Sequence, residues 1–263
     1  MQNHEMSKQN LLFHGKINQR EGGCTVYREI KKKKLILDNR KPYRQEASQF
    51  LSEIHRLDWI YSSLRLDGSS LSRTTVEKIL KGNFLTDVSV KDHSTISNYR
   101  QVIDLVYDML DMGSHLNEKY MFKLYQTLTN ETEPEYRKSN PVLRMISYNP
   151  PHFKEISEQM ELLFHWLHSN AYQTNPMEKA AYLHNKIIEI YPYETSSEAM
   201  ARIAAQYHLI SSGLPPILWN ISEQEYYDAI RIYLKKEEIQ PIYDVLERGV
   251  YNKLEVMMQL TAE

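Results

Sequence analysis

Cysteine is nearly missing from this chain: Cys24 is the sole one among 263 residues. No intrachain disulfide and no cysteine-based metal centre can form, and a reducing cytoplasm suits such a chain. Glycine is scarce at 8 residues, which argues against a glycine-rich all-β fold or a dinucleotide-binding sheet and favours helices. Neither sign of charge dominates. The 32 Lys and Arg against 34 Asp and Glu leave a formal net charge of −2, so no global field draws the chain to nucleic acid or to a membrane surface. Long apolar runs are missing too. Each is broken by charge within a few residues, so no membrane span is expected. Polar Met1–Leu12 lacks the apolar centre of a signal peptide.

What is present is ordinary for a globular chain: 41% hydrophobic and 25% charged residues. The length allows one large domain or a domain with an arm. Residues 1–43 read as an N-terminal arm without helical periodicity, carrying Gly22-Gly23 and the run Lys31–Lys34. Such a run is usually a solvated face. The alternation Cys24–Ile30 fits a short strand. From Arg44 the pattern is helical, with Phe50, Ile54, Leu57, Ile60, Tyr61 and Leu64 on one face and Gly68 as the stop. Ser72 opens a second helix that ends near Gly82. Helices are further expected over 96–112, 116–128, 153–169, 176–190, 196–212, 222–236 and 240–260. Between them, Pro141, Pro150 and Pro151 bracket a β-like run, Val142–Tyr148. The expected architecture is an all-α domain over residues 44–263 with one small β-hairpin inserted.

The stretch Ile190-Tyr191-Pro192-Tyr193-Glu194-Thr195-Ser196-Ser197-Glu198-Ala199-Met200-Ala201-Arg202 carries the most information. It resembles the active-site motif of the Fic family, His-Pro-Phe-x-Asp/Glu-Gly-Asn-Gly-Arg-x-x-Arg. Members of that family transfer AMP from ATP to a protein hydroxyl. Other segments accompany it in the family's order. Residues 61–72, within the helix 45–68 and its tail, resemble the inhibitory helix Ser/Thr-x-x-x-Glu-Gly/Asn, with Ser63 and Asp67 at its marked positions. Asn98-Tyr99 is similar to the pair that opens the next long helix. Tyr136-Arg137, Ser139-Asn140 and Tyr148-Asn149-Pro150-Pro151 resemble the landmarks around the family's flap. The motif region runs from Ala181 to Pro216. The resemblance implies a Fic-type helical domain with a small β-hairpin flap made of Val142, Leu143, Arg144, Met145, Ile146, Ser147 and Tyr148.

Against the family's pattern, the reactive groups differ one by one. AMP transfer needs a base with a pKa near the working pH. Tyr191 stands at that position, and a phenol with a pKa of about 10 is a poor base near neutrality. It is expected to pack, half-buried, where the imidazole would stand. Thr195 replaces the carboxylate that holds magnesium against the triphosphate, and Glu194 comes one residue early. Ser196, Ser197 and Glu198 replace Gly-Asn-Gly, which lets backbone approach phosphate at a helix start. They read as a capping box, with Thr195 capping and Glu198 reaching back. Ser196 and Ser197 remain a weak anion-binding remnant, because the helix dipole persists. Ala199 stands where the first motif arginine would clamp phosphate. Arg202 keeps the second arginine position, and Asp67 is its expected ion-pair partner. The tie is structural or regulatory, and the missing groups favour the structural reading. His184 is expected in the core, and His165 and His168 on the surface without a zinc site.

Two functions follow. In the favoured one the chain is a Fic-fold protein without AMP transfer that acts by binding. The flap would capture an extended segment of a protein partner by strand addition. In the other it is a Fic-fold transferase with a different donor or residual nucleotide chemistry. No cofactor is expected unless the family activity survives, in which case ATP and magnesium are. Neither nucleic acid nor membrane is an expected partner; a homo-oligomer is compatible with the sequence.

Overall fold

The computed structural model describes residues 21–169 and 175–262. Among them are ten α-helices: α1 (Glu21–Asn39), α2 (Gln45–Leu66), α3 (Arg73–Leu80), α4 (Val90–Asp111), α5 (Glu118–Thr129), α6 (Ile156–His168), α7 (Pro176–Ile190), α8 (Ser197–Ser211), α9 (Glu223–Lys236) and α10 (Gln240–Leu260). Side-chain caps set several starts. Ser72 accepts from the Thr75 amide at 3.1 Å, as its place in the sequence suggested. Ser89 accepts from Asp92 at 3.0 Å, so α4 begins at Val90, earlier than periodicity alone indicated.

The core centres on α8, which pairs most extensively with α7. Ala201, Ala204 and Ala205 are fully buried, and such short side chains let neighbouring helices approach closely. A helix buried nearly all round belongs at the centre of a fold. Gln206 on α8 fastens the chain that returns after it: its amide donates to the Ile217 carbonyl at 2.8 Å and accepts from the Ile217 amide at 2.9 Å. Helix α2 is pinned at mid-length by buried Asp58, which accepts from Lys253 of α10 at 2.5 Å and from Arg73 of α3 at 2.8 Å.

Two expectations need correction. The segment 24–30 is not a strand, and 21–39 is not aperiodic. It is α1, lying along α10, with Ile30 and Leu37 buried. These two are seven residues apart, two helical turns, and Lys33 pairs with Glu255 across the contact. Tertiary burial outweighs the local alternation. Residues 1–20 of the expected arm lie outside the described part. The second correction is the flap. Leu143 and Tyr148 exchange both backbone hydrogen bonds, at 2.9 and 3.2 Å. The four residues between them do not extend. Arg144–Ile146 form a 3-10 turn and Ser147 closes it at φ 51°. Ile146 is buried, Tyr148 donates to the Glu189 carbonyl at 3.1 Å, and Arg231 donates to the Met145 carbonyl at 2.6 Å. These contacts fold the segment against α7 and α9 as a tight turn, so no β-hairpin forms.

Buried Arg137 positions the motif. Its Nε donates to the Tyr191 carbonyl at 2.7 Å, Nη1 to Ser139 at 2.6 Å, and Nη2 to Pro151 at 2.5 Å and to Ile190 at 3.3 Å. A guanidinium at the C-terminus of α7 meets the negative end of the helix dipole, and it joins three loops that converge there. Burial pulls its pKa down from the ordinary arginine value, and it stays charged. Replacing Arg137 with Met should lower unfolding free energy by about 3–4 kcal/mol, since each stranded buried carbonyl costs about 1–3 kcal/mol and some will find water. Urea denaturation checks this; a loss below about 1 kcal/mol would remove Arg137 from this role.

Candidate functional site

The motif turn joins α7 to α8, and both ends of it use left-handed backbone. Tyr191 has φ 49° and Ser196 φ 62°. Such residues cost on the order of 1–3 kcal/mol each unless their surroundings hold them. Tyr191 is held. Its amide donates to Ile187 at 2.8 Å, and its hydroxyl donates to both carboxylate oxygens of Glu198, each at 3.1 Å. Burial, and then the Glu198 charge, push the Tyr191 pKa well above the ordinary tyrosine value. The phenol is therefore a worse base here than in water.

The expected capping box does not form. Ser196 takes the left-handed conformation at the helix start, and no side chain caps α8. The Thr195 hydroxyl faces that of Tyr125 at 3.4 Å. Glu198 finds its donor in Tyr191, across the turn. Ser197 is fully buried, accepting from the Tyr193 amide at 3.0 Å and donating to the Tyr193 carbonyl at 3.2 Å. Glu194 turns to the loop at 138–139. It accepts from the amides of Lys138 and Ser139 and, at 2.7 Å, from the Ser139 hydroxyl. Those bonds, the Ser139 hydroxyl foremost, hold its pKa below the usual carboxylate value.

Beneath the turn lies Arg202, one helical turn below Glu198 on α8 and 0% exposed. Its Nη2 donates to Asp67 Oδ1, which follows the last residue of α2. The other Asp67 oxygen accepts from the Tyr99 hydroxyl of α4 at 2.6 Å. The carboxylate is 34% exposed, so the ion pair has one dry and one wet member. Burial opposes charge on Arg202, but Asp67, with Tyr226 and Tyr99 behind it, raises its pKa well above the ordinary value. On its far side Arg202 Nη1 donates to the Tyr226 oxygen at 3.4 Å, with the guanidinium 5.5 Å from that ring's centre. Tyr226 then has its proton for His184 Nε2, 2.8 Å away, and His184 Nδ1 donates to Asn185 Oδ1 at 3.0 Å. The tautomer is assigned from this run of donors and acceptors. Burial drives the His184 pKa down to about 3, so the imidazole is neutral.

The structure thus brings together Asp67 with Arg202 and Tyr191 with Glu198. Ser63 is buried one turn before Asp67, and its hydroxyl has no partner among the described residues. The flap residues Val142 and Met145 are exposed on their turn. Sequence reasoning treated Tyr99 as a helix landmark and Tyr226 as core. Both prove to be polar partners of the ion pair. A tyrosine at a core position needs a partner for its hydroxyl, which is the signal that could have raised the question. No helix among the described residues is long and apolar enough to cross a membrane.

A fold of this order, with a landmark turn at this place, has known counterparts. The Fic/DOC family model matches residues 115–209. Over this segment the chain is similar to the Fic/DOC family. It is 19% identical over 211 residues to a protein adenylyltransferase Fic of Drosophila mojavensis, covering 78% of this chain and 41% of that protein. It is 24% identical over 187 residues to a uridine 5'-monophosphate transferase of Xanthomonas campestris pv. campestris, covering 61% of this chain and 34% of that one. The chain spans about two fifths of the length of the curated Fic relatives it matches. Among solved structures, a Fic-domain signalling protein of Bacteroides thetaiotaomicron superposes with a TM-score of 0.78 at 19% identity, covering 90% of this chain and 97% of that one. Residues 134–508 of Caenorhabditis elegans Fic-1 superpose at 0.76 and 15% identity, covering 89% and 71%.

Two outcomes are expected. Asp67→Ala strands a buried cation. It should cost about 2–3 kcal/mol, below the about 3–5 kcal/mol of a fully buried pair because water reaches the vacated side. Chemical denaturation measures it, and a loss under about 0.5 kcal/mol would mean the pair is not a structural tie. The second concerns pH. The unfolded His184 binds a proton near pH 6.5 and the folded one only near pH 3, so its contribution is present above pH 6.5 and lost as pH falls toward 3. Its share of the slope is about 1.4 kcal/mol per pH unit inside that window. His184→Gln should flatten the acid limb of stability against pH by that amount; an unchanged slope would show that His184 is protonated in the fold.

Proposed function

We propose that this chain is a Fic-fold protein that does not transfer nucleotide and works by binding another protein. The observation that carries the reading is the Tyr191–Glu198 contact. The residue at the family's base position spends its hydroxyl on a carboxylate, and that carboxylate sits in the first turn of α8. A negative charge there repels phosphate. The residues do not suit a magnesium-bound triphosphate in other ways. Ala199 offers no cation, Arg202 is already committed to Asp67, and Ser197 is sealed within the turn. Glu194, the nearby carboxylate, is committed to the loop at Ser139.

A second reading has one observation in its favour. A matched relative is named for transfer of uridine monophosphate, so proteins similar to this chain are not confined to one nucleotide. Under that reading Tyr191–Glu198 is a closed state that a different donor opens.

Titration calorimetry separates the two. At least two charged contacts to phosphate are missing, each worth roughly 1.5–3 kcal/mol. ATP, with or without magnesium, should bind more weakly than about 1 mM, and labelled ATP or UTP should leave no label on the chain or on bulk protein. A micromolar dissociation constant, or labelling that disappears in Tyr191→Phe, would establish the transferase reading instead.

A further inference from the structure

We propose that a hollow between α10, the middle of α2 and the loop after α8 binds a small monocarboxylate with a short branched aliphatic body. The hollow has a volume of about 200 Å3. It is lined by one face of α10 between Val245 and Val256, by Asp58 of α2, and by Leu218 and Asn220 of the loop. None of these residues belongs to the motif turn.

The surroundings are held in place without a ligand. Gln206 bonds both backbone groups of Ile217, at 2.8 and 2.9 Å. Gly249 lets α10 lie against that residue, since a Cβ at Gly249 would come within 2.9 Å of the Ile217 Cβ. Asp58 is fixed by Lys253 at 2.5 Å and by Arg73 at 2.8 Å. A hollow bounded this way is pre-formed, as small-molecule sites usually are.

The polar groups select the head of the ligand. Lys253 and Arg248 line the hollow against one carboxylate, Asp58. That carboxylate is already used on both oxygens, Oδ2 by Lys253 and Oδ1 by Arg73. Arg248 is therefore the surplus charge. Its Nε donates to the Asp244 carbonyl at 3.2 Å, and its two terminal nitrogens have no partner among the described residues. The carboxylates around it are engaged: Asp244 accepts from Gln240 at 2.6 Å, and Glu225 from the Ser222 amide at 2.9 Å. Asn220 and Asn252 also line the hollow, and both are exposed. Their side-chain amides have no hydrogen-bond partner among the described residues. A guanidinium fork with two primary amides matches the two oxygens of a carboxylate. One surplus positive charge suits a single negative one, and a second negative charge would meet Asp58.

The remaining lining selects the body. Leu218, Val245 and Val256 give the hollow its apolar side chains. A cavity of about 150 Å3 accommodates benzene. One of about 200 Å3 suits a slightly larger ligand such as isovalerate, and is too small for a nucleotide.

The test is a titration of the full chain with isovalerate, followed by proton–nitrogen NMR. The signals to watch are the side-chain amides of Asn220 and Asn252, each assigned by its loss in Asn220→Asp or Asn252→Asp. Both should shift and saturate with a dissociation constant of about 1 mM, a reasonable value for so small a ligand. Isovaleramide, which has the same shape without the charge, should bind at least about tenfold more weakly. Acetate, which lacks the body, should bind several-fold more weakly. Arg248→Gln should weaken isovalerate about tenfold or more, and Arg248→Lys by less, because the charge stays and only the fork is lost. Arg248 is exposed, so the melting of both variants should match that of the unsubstituted chain. No saturation up to about 50 mM, equal binding of isovaleramide, or indifference to Arg248→Gln would overturn the proposal. Inorganic phosphate binding more tightly than isovalerate would overturn it too, because the site would then be one for phosphate. Nucleotide binding at the motif turn, or its lack, changes none of these outcomes.

Discussion

A guanidinium with no access to water sits at the centre of this molecule, and the arrangement around it follows from keeping it charged. Arg202 cannot lose its proton at any working pH, and a charge in a dry interior needs opposite charge and hydrogen bonds on the spot. Asp67 supplies the charge from the end of α2, and Tyr226 supplies an acceptor oxygen from α9. Each of those is fixed in turn, Asp67 by Tyr99 of α4 and Tyr226 by His184 of α7. One side chain of α8 therefore ties four other helices into a single polar network inside an apolar core. Networks of this kind are strong when complete and weak when any member is lost.

The motif turn above Arg202 satisfies itself in the same manner. Tyr191 binds Glu198, Ser197 binds Tyr193, and Glu194 binds the loop at Ser139. Arg137 holds the carbonyl of Tyr191 from below. The polar side chains of this turn are paired within the protein. The cost of two left-handed residues is offset by these contacts.

Helix α2 connects these features to the surface. Its inner side and its C-terminal end are consumed by Asp58, with Lys253 and Arg73, and by Asp67. Toward its N-terminal half the side chains are more open, and Phe50 is exposed. The helix is thus held at two points by carboxylates, the buried Asp58 and the part-exposed Asp67.

Much of the fold was legible in the sequence because its signals are local. Caps such as Ser72, stops such as Gly68, and apolar spacing act over one or two turns, and they placed nine of the ten described helices within a few residues. The landmark strings lie in a fixed order, but Asn98-Tyr99, read as opening a helix, sits inside α4, which begins at Val90. The pairing of Asp67 with Arg202 could be guessed from that order, although the two are 135 residues apart. What the sequence could not decide were outcomes of packing. Residues 24–30 alternate like a strand, and became helix because Ile30 and Leu37 find α10 to lie on. Val142–Tyr148 looks extended, and became a turn because Ile146 is buried and Arg231 and Glu189 bind its backbone and tyrosine. Glu198 read as a capping residue, since a cap is the local use for a glutamate there. Only the left-handed bend at Tyr191, which carries the phenol over the first turn of α8, gave it a different partner. Local preferences are worth tenths of a kcal/mol to about 1 kcal/mol per residue, whereas burial of one large side chain is worth about 1.5–3 kcal/mol, and where the two disagreed, burial determined the structure.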